Sequence, residues 1–107
     1  MLERIDLKQV KKDLQEAWMP VDIAKVNDSA VRCAWIKGEY HWHTHRNSDE
    51  FFFVQDGKMT IQTVEGDVTL EKGQGVVVPK GMRHRSKSDK GAIALVFELQ
   101  STKKEGD

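Results

Sequence analysis

Residues 38–50 read Gly38-Glu39-Tyr40-His41-Trp42-His43-Thr44-His45-Arg46-Asn47-Ser48-Asp49-Glu50. Three of the chain's four histidines fall here, spaced two apart, and a glutamate follows five residues after the last. Side chains alternate along a strand, so an extended 40–45 turns His41, His43 and His45 to one side. The turn residues Asn47-Ser48-Asp49 then let the chain double back and bring Glu50 to that face. Neutral imidazole and carboxylate together suit first-row divalent metals. Two histidines and one carboxylate on one side of an ion leave open positions, as in non-haem Fe(II) oxygenase sites.

The residues after Glu50 alternate in the same way. Asp56-Gly57 is a preferred pair for a two-residue hairpin turn and predicts strands over 50–55 and 58–63. That register puts Glu50, Phe52, Val54, Met59, Ile61 and Thr63 on one inward face. A lone carboxylate on such a face is costly unless a cation or several donors meet it. Further β-like runs occupy 21–26, 31–37, 67–71, 75–79, 84–88 and 92–98, with turn residues between them. About nine short strands with no helix between them predict an antiparallel sandwich or barrel. Asp6 as a cap, with Leu7, Val10, Leu14 and Trp18 at helical spacing, predicts a helix over 6–18, ended by Met19-Pro20.

The stretch from Gly38 to Gly57 resembles the first motif of the cupin superfamily: Gly, about five residues, His-x-His, three or four residues, Glu, six residues, Gly. His43, His45, Glu50 and Gly57 fit it, and Gly38 stands one residue close. The second motif is Gly, five residues, Pro-x-Gly, two residues, His, three residues, Asn. Gly73, Pro79, Gly81 and His84 match it, while Ser88 stands at the final position in place of Asn. The two motifs span residues 38–88, about half the chain. The resemblance implies an all-β, antiparallel double-sheet jelly-roll β-barrel with a short N-terminal helix. It implies one divalent metal ion (Fe, Mn, Zn or Ni) held inside the barrel by His43, His45, Glu50 and His84. One or two coordination positions would be left for water, dioxygen or substrate. Cupins include dioxygenases, sugar isomerases and lyases, so the expected function is a small metalloenzyme of oxygenase, isomerase or lyase class. The alternative is a non-catalytic small-molecule or sugar-binding module.

The motif has no use for His41. It is either a barrel-mouth residue bonded to a neighbour, or a group that orients a metal ligand or contacts the substrate as the catalytic acid/base near the metal. Phe52, Met59 and Ile61 are the expected substrate pocket, and their apolar character favours a partly hydrophobic small-molecule ligand over a free sugar. Phe51 and Phe53 face outward and need cover from the N-terminal segment or a second copy, so a homodimer is expected.

The remaining features bound the problem. A length of 107 residues predicts a single domain: a helical segment over 1–20, a barrel over 21–100 and a flexible tail over 101–107. The chain carries 17 basic and 17 acidic side chains, a formal net charge of zero. That gives no case for a nucleic-acid partner, and Lys80, Arg83, Arg85, Lys87 and Lys90 read as a solvated rim. An anionic substrate drawn toward the metal is the intermediate reading. No run approaches the roughly 20 apolar residues that span a bilayer, so no membrane partner is expected. Met1 to Asp6 lacks the apolar core of a secretory signal. Cys33, the one cysteine, cannot form an intrachain disulfide and reads as a small buried hydrophobe. These two features give a cytoplasmic expectation.

Overall fold

The computed structural model describes residues 2–107. The helix α1 spans Leu7–Asp13, and six strands follow: β1 Val21–Val26, β2 Ser29–Glu39, β3 Glu50–Thr63, β4 Gly66–Glu71, β5 Gly75–Val78 and β6 His84–Leu99. The strands are antiparallel in the order β1-β2-β6-β3-β4, with β5 also pairing with β3. This hydrogen-bonded path is not closed, with β1 and β4 at its two ends.

Asp6 caps α1, its side chain accepting from the Lys8 amide at 2.9 Å. The helix is shorter than the spacing predicts. Trp18 adopts φ of 67°, outside the helical region, and its amide donates to the Trp35 carbonyl at 3.0 Å. The sheet thus captures backbone that a longer helix would use for itself.

Two expected turns are bulges within longer strands. The Asp56-Gly57 hairpin does not form, because β3 runs unbroken from Glu50 to Thr63. The predicted strands 84–88 and 92–98 are likewise one strand, β6. The β3–β6 register shifts between Val54 and Asp56 and again between Gly57 and Thr60. Gly57 pairs with Ala92 there, beside the Gly91 backbone. A β-carbon on Gly57, whose φ is +79°, would strike the Gly91 carbonyl oxygen and sit 2.9 Å from Ala92 Cα. Glycine is required because the two backbones approach this closely as both strands bend. Ser88 secures the bend: its hydroxyl donates to the Lys58 carbonyl at 2.6 Å and accepts from the Gly91 amide at 3.0 Å.

The bulge leaves Glu50, Phe52, Val54, Met59 and Ile61 inward as predicted, while Thr63 is half-buried and its hydroxyl donates to the Gly66 carbonyl. Glu50, Phe52 and Val54 are buried, then Met59 and Ile61, so the alternation changes phase between 54 and 59. An extra residue shifts the parity of a strand just as a two-residue reversal does. The core is built on this face, with Val54, Met59 and Ile61 joined by Ile36, Leu70, Val78 and Ala94. Complete burial of a side chain such as Ile61 contributes roughly 1.5–3 kcal/mol.

Residues 101–107 lie back along the sheet. Arg32 donates to the Thr102 carbonyl, Lys104 to the Trp18 carbonyl, and the Asp107 amide to the Thr44 carbonyl. No helix among the described residues is long and apolar enough to cross a membrane, which says nothing about spanning by strands.

Candidate metal site

The two motifs are brought together by backbone hydrogen bonds. Residues 40–45 do not form a strand; His43 alone makes a bridge with His84. Their amides and carbonyls exchange two bonds of 2.9 Å, and the Gly81 amide donates to the His45 carbonyl at 2.8 Å. The Lys80 amide donates to Asp49 Oδ1 at 2.9 Å, and the Leu99 amide to Ser48 Oγ at 2.9 Å. These bonds fix the loop 40–49 against the 79–84 turn and the end of β6. Glu50 then enters at the first residue of β3, and His84 at the first of β6.

His43, His45, Glu50 and His84 each offer one ligand atom, all within 4.8 Å of one another. Donors about 2.0–2.2 Å from a common ion lie at most about 4.4 Å apart, so a contraction of a few tenths of an ångström completes a shell. The polar atoms are otherwise unanswered. Glu50 Oε1, His84 Nε2 and both nitrogens of His45 are buried without a hydrogen-bond partner. Glu50 Oε1 stands 2.9 Å from His84 Nε2 and 3.3 Å from His45 Nε2. These contacts are close but lack hydrogen-bond alignment, as expected of lone pairs that converge on a shared point. Three imidazoles and a carboxylate that could hold a divalent ion fit this arrangement.

Two carbonyls orient the rings. His43 Nδ1 lies 2.9 Å from the His41 carbonyl, and His84 Nδ1 lies 2.9 Å from the Met82 carbonyl. With Nδ1–H donating, each Nε2 keeps its lone pair. Burial lowers the His43 pKa to about 4, beyond what the His41 carbonyl restores. Burial lowers that of His45 too, against the pull of Glu50. In His84 burial is outweighed by Glu50 and the Met82 carbonyl, and its pKa is raised.

The other expected site residues separate. The His41 side chain is exposed, with Nε2 2.9 Å from the Glu105 carbonyl, and it does not join the four-residue cluster. A cavity of about 370 Å³ opens beside the cluster, with His43, Glu50 and Phe52 in its wall. Met59 and Ile61 are absent from that wall and lie in the core, each 1% exposed. An inward-facing side chain is either core or cavity lining, and alternation alone does not say which. The basic rim also stands apart. Arg83 and Arg85 lie over the Trp42 ring, at 5.5 and 5.2 Å, and Arg85 pairs with Glu39 at 3.0 Å.

Two residues escaped the sequence reading, Glu98 and Arg32, both in the cavity wall. The signal was present. Glu98 is in phase with Ala94 and Val96, and Arg32 with Ala34 and Ile36, so each is a charge on an inward face. Burial and the neighbouring Glu50 push the Glu98 carboxyl up to about 8, against the pull of Arg32.

Fold and cluster together define an antiparallel β-protein with a largely buried three-histidine, one-glutamate site. The cupin domain family matches residues 32–98. The uncharacterized protein YdbB of Bacillus subtilis (strain 168) is 33% identical over 94 residues, covering 87% of this chain and 83% of that protein. Among solved structures, a cupin-2 domain containing protein from Shewanella frigidimarina superimposes with a TM-score of 0.87 at 28% identity, covering 90% of this chain and 94% of that one. Protein NMB1881 from Neisseria meningitidis does so with a TM-score of 0.83 at 33% identity, covering 92% and 100%. The chain belongs to the cupin family. The fold alone extends to hydroquinone 1,2-dioxygenase PnpCD, solved with Cd2+ and 4-hydroxybenzonitrile, at a TM-score of 0.76 and 15% identity over 95% of this chain and 74% of that one.

Proposed function

We propose that this chain binds one divalent metal ion through His43, His45, Glu50 and His84 and acts as a small metalloenzyme of the oxygenase, isomerase or lyase class on a small molecule. The observation that carries this reading is the convergence of four ligand atoms, one from half-buried His43 and three from buried residues that hold polar atoms without partners. A bound ion would supply Lewis acidity or, as iron or manganese, redox capacity. The chain's own part is orientation. The carbonyls of His41 and Met82 fix two imidazoles, and buried Glu50 supplies the negative charge between His45 and His84. The cavity beside them admits a ligand to the same point. His41 enters the reading at the rim, where its ring exchanges a proton with a ligand once it leaves Glu105.

A second reading is a non-catalytic small-molecule or sugar-binding module. The engagement of His41 by Glu105 favours it, since that leaves the candidate acid/base turned away from the cluster. The same proposal includes a jelly-roll barrel formed as one domain over 1–107, a cytoplasmic location suited to a free Cys33 thiol, and a homodimer. The outward Phe51, Phe53 and Phe97 support the homodimer: their rings cluster, and Phe97 is 40% exposed.

Elemental analysis of protein purified without added metal tests the metal site. Wild type should carry about one ion per chain, and Glu50→Ala and His84→Ala should carry almost none, with a folded circular-dichroism spectrum. Unchanged metal content in both variants would sink the ligand assignment. Iron or manganese would favour oxygen chemistry, and zinc or nickel an isomerase, lyase or binding role.

A further inference from the structure

The cavity wall holds a carboxylate that the four-residue cluster does not use. Glu98 lies near the end of β6 and is 7% exposed. It lines the same cavity as His43 and Glu50. Its Oε2 is buried and has no hydrogen-bond partner. Arg32 forms an ion pair with it, but the 3.5 Å from Nη1 to Oε2 is too long for a good hydrogen bond. Each Arg32 nitrogen is engaged elsewhere at 2.8 Å: Nε donates to Asp22 Oδ1, Nη1 to the Thr102 carbonyl and Nη2 to the Gln100 carbonyl. Arg32 is therefore held back from closing on Glu98.

A buried acceptor left without a donor costs about 1–3 kcal/mol, so native structures supply a partner or keep a reason for its absence. What surrounds Glu98 says what kind of partner fits. Trp18 stacks on Tyr40 with ring centroids 4.9 Å apart, and Ile36, Phe52 and Val96 complete an apolar wall. A volume of about 370 Å³ suits a single ring-sized molecule.

We propose that Glu98 contacts the ligand: beside the metal cluster it accepts a hydrogen bond from the hydroxyl or amine of a small, largely apolar, ring-bearing molecule. The inference rests on the reading of this cavity as a small-molecule site. It does not depend on the protonation state of Glu98, because a carboxyl keeps an acceptor oxygen in either state. It assigns the polar end of the ligand to Glu98 and the apolar end to the Trp18–Tyr40 wall.

The test compares phenol with anisole, which has the same ring but no donor. Binding is measured by calorimetry or ligand-observed NMR on metal-loaded wild type and Glu98→Leu, with metal content determined on the same samples. Wild type should bind phenol about tenfold tighter than anisole, the worth of one hydrogen bond to a buried carboxyl group. In Glu98→Leu the two should bind within about twofold, with metal retained. Equal binding in wild type, a preference that survives in Glu98→Leu, or no binding of either probe overturns the proposal. Should Glu98→Leu fail to fold, chelator-treated wild type decides. A preference that persists without metal supports Glu98, and one that vanishes with the metal overturns it. Wild type that prefers phenol but never takes up metal would sink the metal reading and leave Glu98 standing.

Discussion

Acidification should release metal from this site with the signature of one proton, although three imidazoles would hold it. A histidine ligand binds as the neutral ring, so protons and metal compete. Three imidazoles at the ordinary value of 6.5 would each weaken binding about 25-fold between pH 7 and pH 5, together about 10⁴-fold, with a limiting slope of three. The structure alters that count. Burial has already lowered His43 to about 4, so at pH 5 it is still mostly neutral. His45 is lowered in the same direction and for the same first reason. His84 is raised, because Glu50 and the Met82 carbonyl favour its protonated ring more than burial disfavours it. A raised value means the metal-free protein already holds that proton above pH 6.5, and holds it more fully as pH falls. Competition is therefore carried by His84, at no more than tenfold per pH unit. From His84 affinity should fall by between about 25-fold, the effect of an ordinary imidazole, and the roughly 100-fold limit for one proton between pH 7 and pH 5, with a slope near one. Zinc titrations against a chelating dye of known affinity, at half-unit steps from pH 5 to pH 7.5, give the slope directly. A slope near three would show that burial does not depress His43 and His45 as described. Metal content that resists a chelator equally at pH 8 and pH 5 would refute a histidine site altogether.

Gly57→Ala should destabilise the fold by about 2–4 kcal/mol in urea denaturation, since the β-carbon meets the Gly91 backbone at a positive φ; a loss below about 1 kcal/mol would mean that the paired bulge is not the structure there. His41→Ala should keep its metal, because its backbone carbonyl holds His43 and its ring bonds only the Glu105 carbonyl. Metal loss in that variant, read by elemental analysis, would place the His41 ring in the ligand set.

Much of the site was legible in the chain because its determinants are local. His43, His45 and Glu50 lie within eight residues, and their spacing alone limits how they can face one another. His84 is 34 residues beyond Glu50, and its link to the others came from motif resemblance. In the structure that link is physical: the two bonds between His43 and His84, and those that Ser48 and Asp49 make to β6 and the 79–84 turn. The inward face of β3 was also legible, but the reason given for it was not. A turn and a bulge at Asp56-Gly57 bury the same residues, and only the pairing partner across the sheet separates them.

By itself, then, the sequence determined the β class, most of the inward residues and the grouping of His43, His45 and Glu50, since alternation and spacing are properties of neighbouring residues, while His84 joined them only through the motif resemblance. Tertiary structure decided what lies between elements. It sent Met59 and Ile61 to the core and left Phe52 in the cavity wall. It turned His41 toward Glu105 while its carbonyl gripped His43. It set Glu98 from β6 and Arg32 from β2 in the wall of the same cavity, as an ion pair 3.5 Å apart without a hydrogen bond. A charge at an inward position is visible in a string of letters. Whether it meets a partner, a cavity or a metal depends on strands far apart in the chain, because burial and pairing are set by the whole sheet.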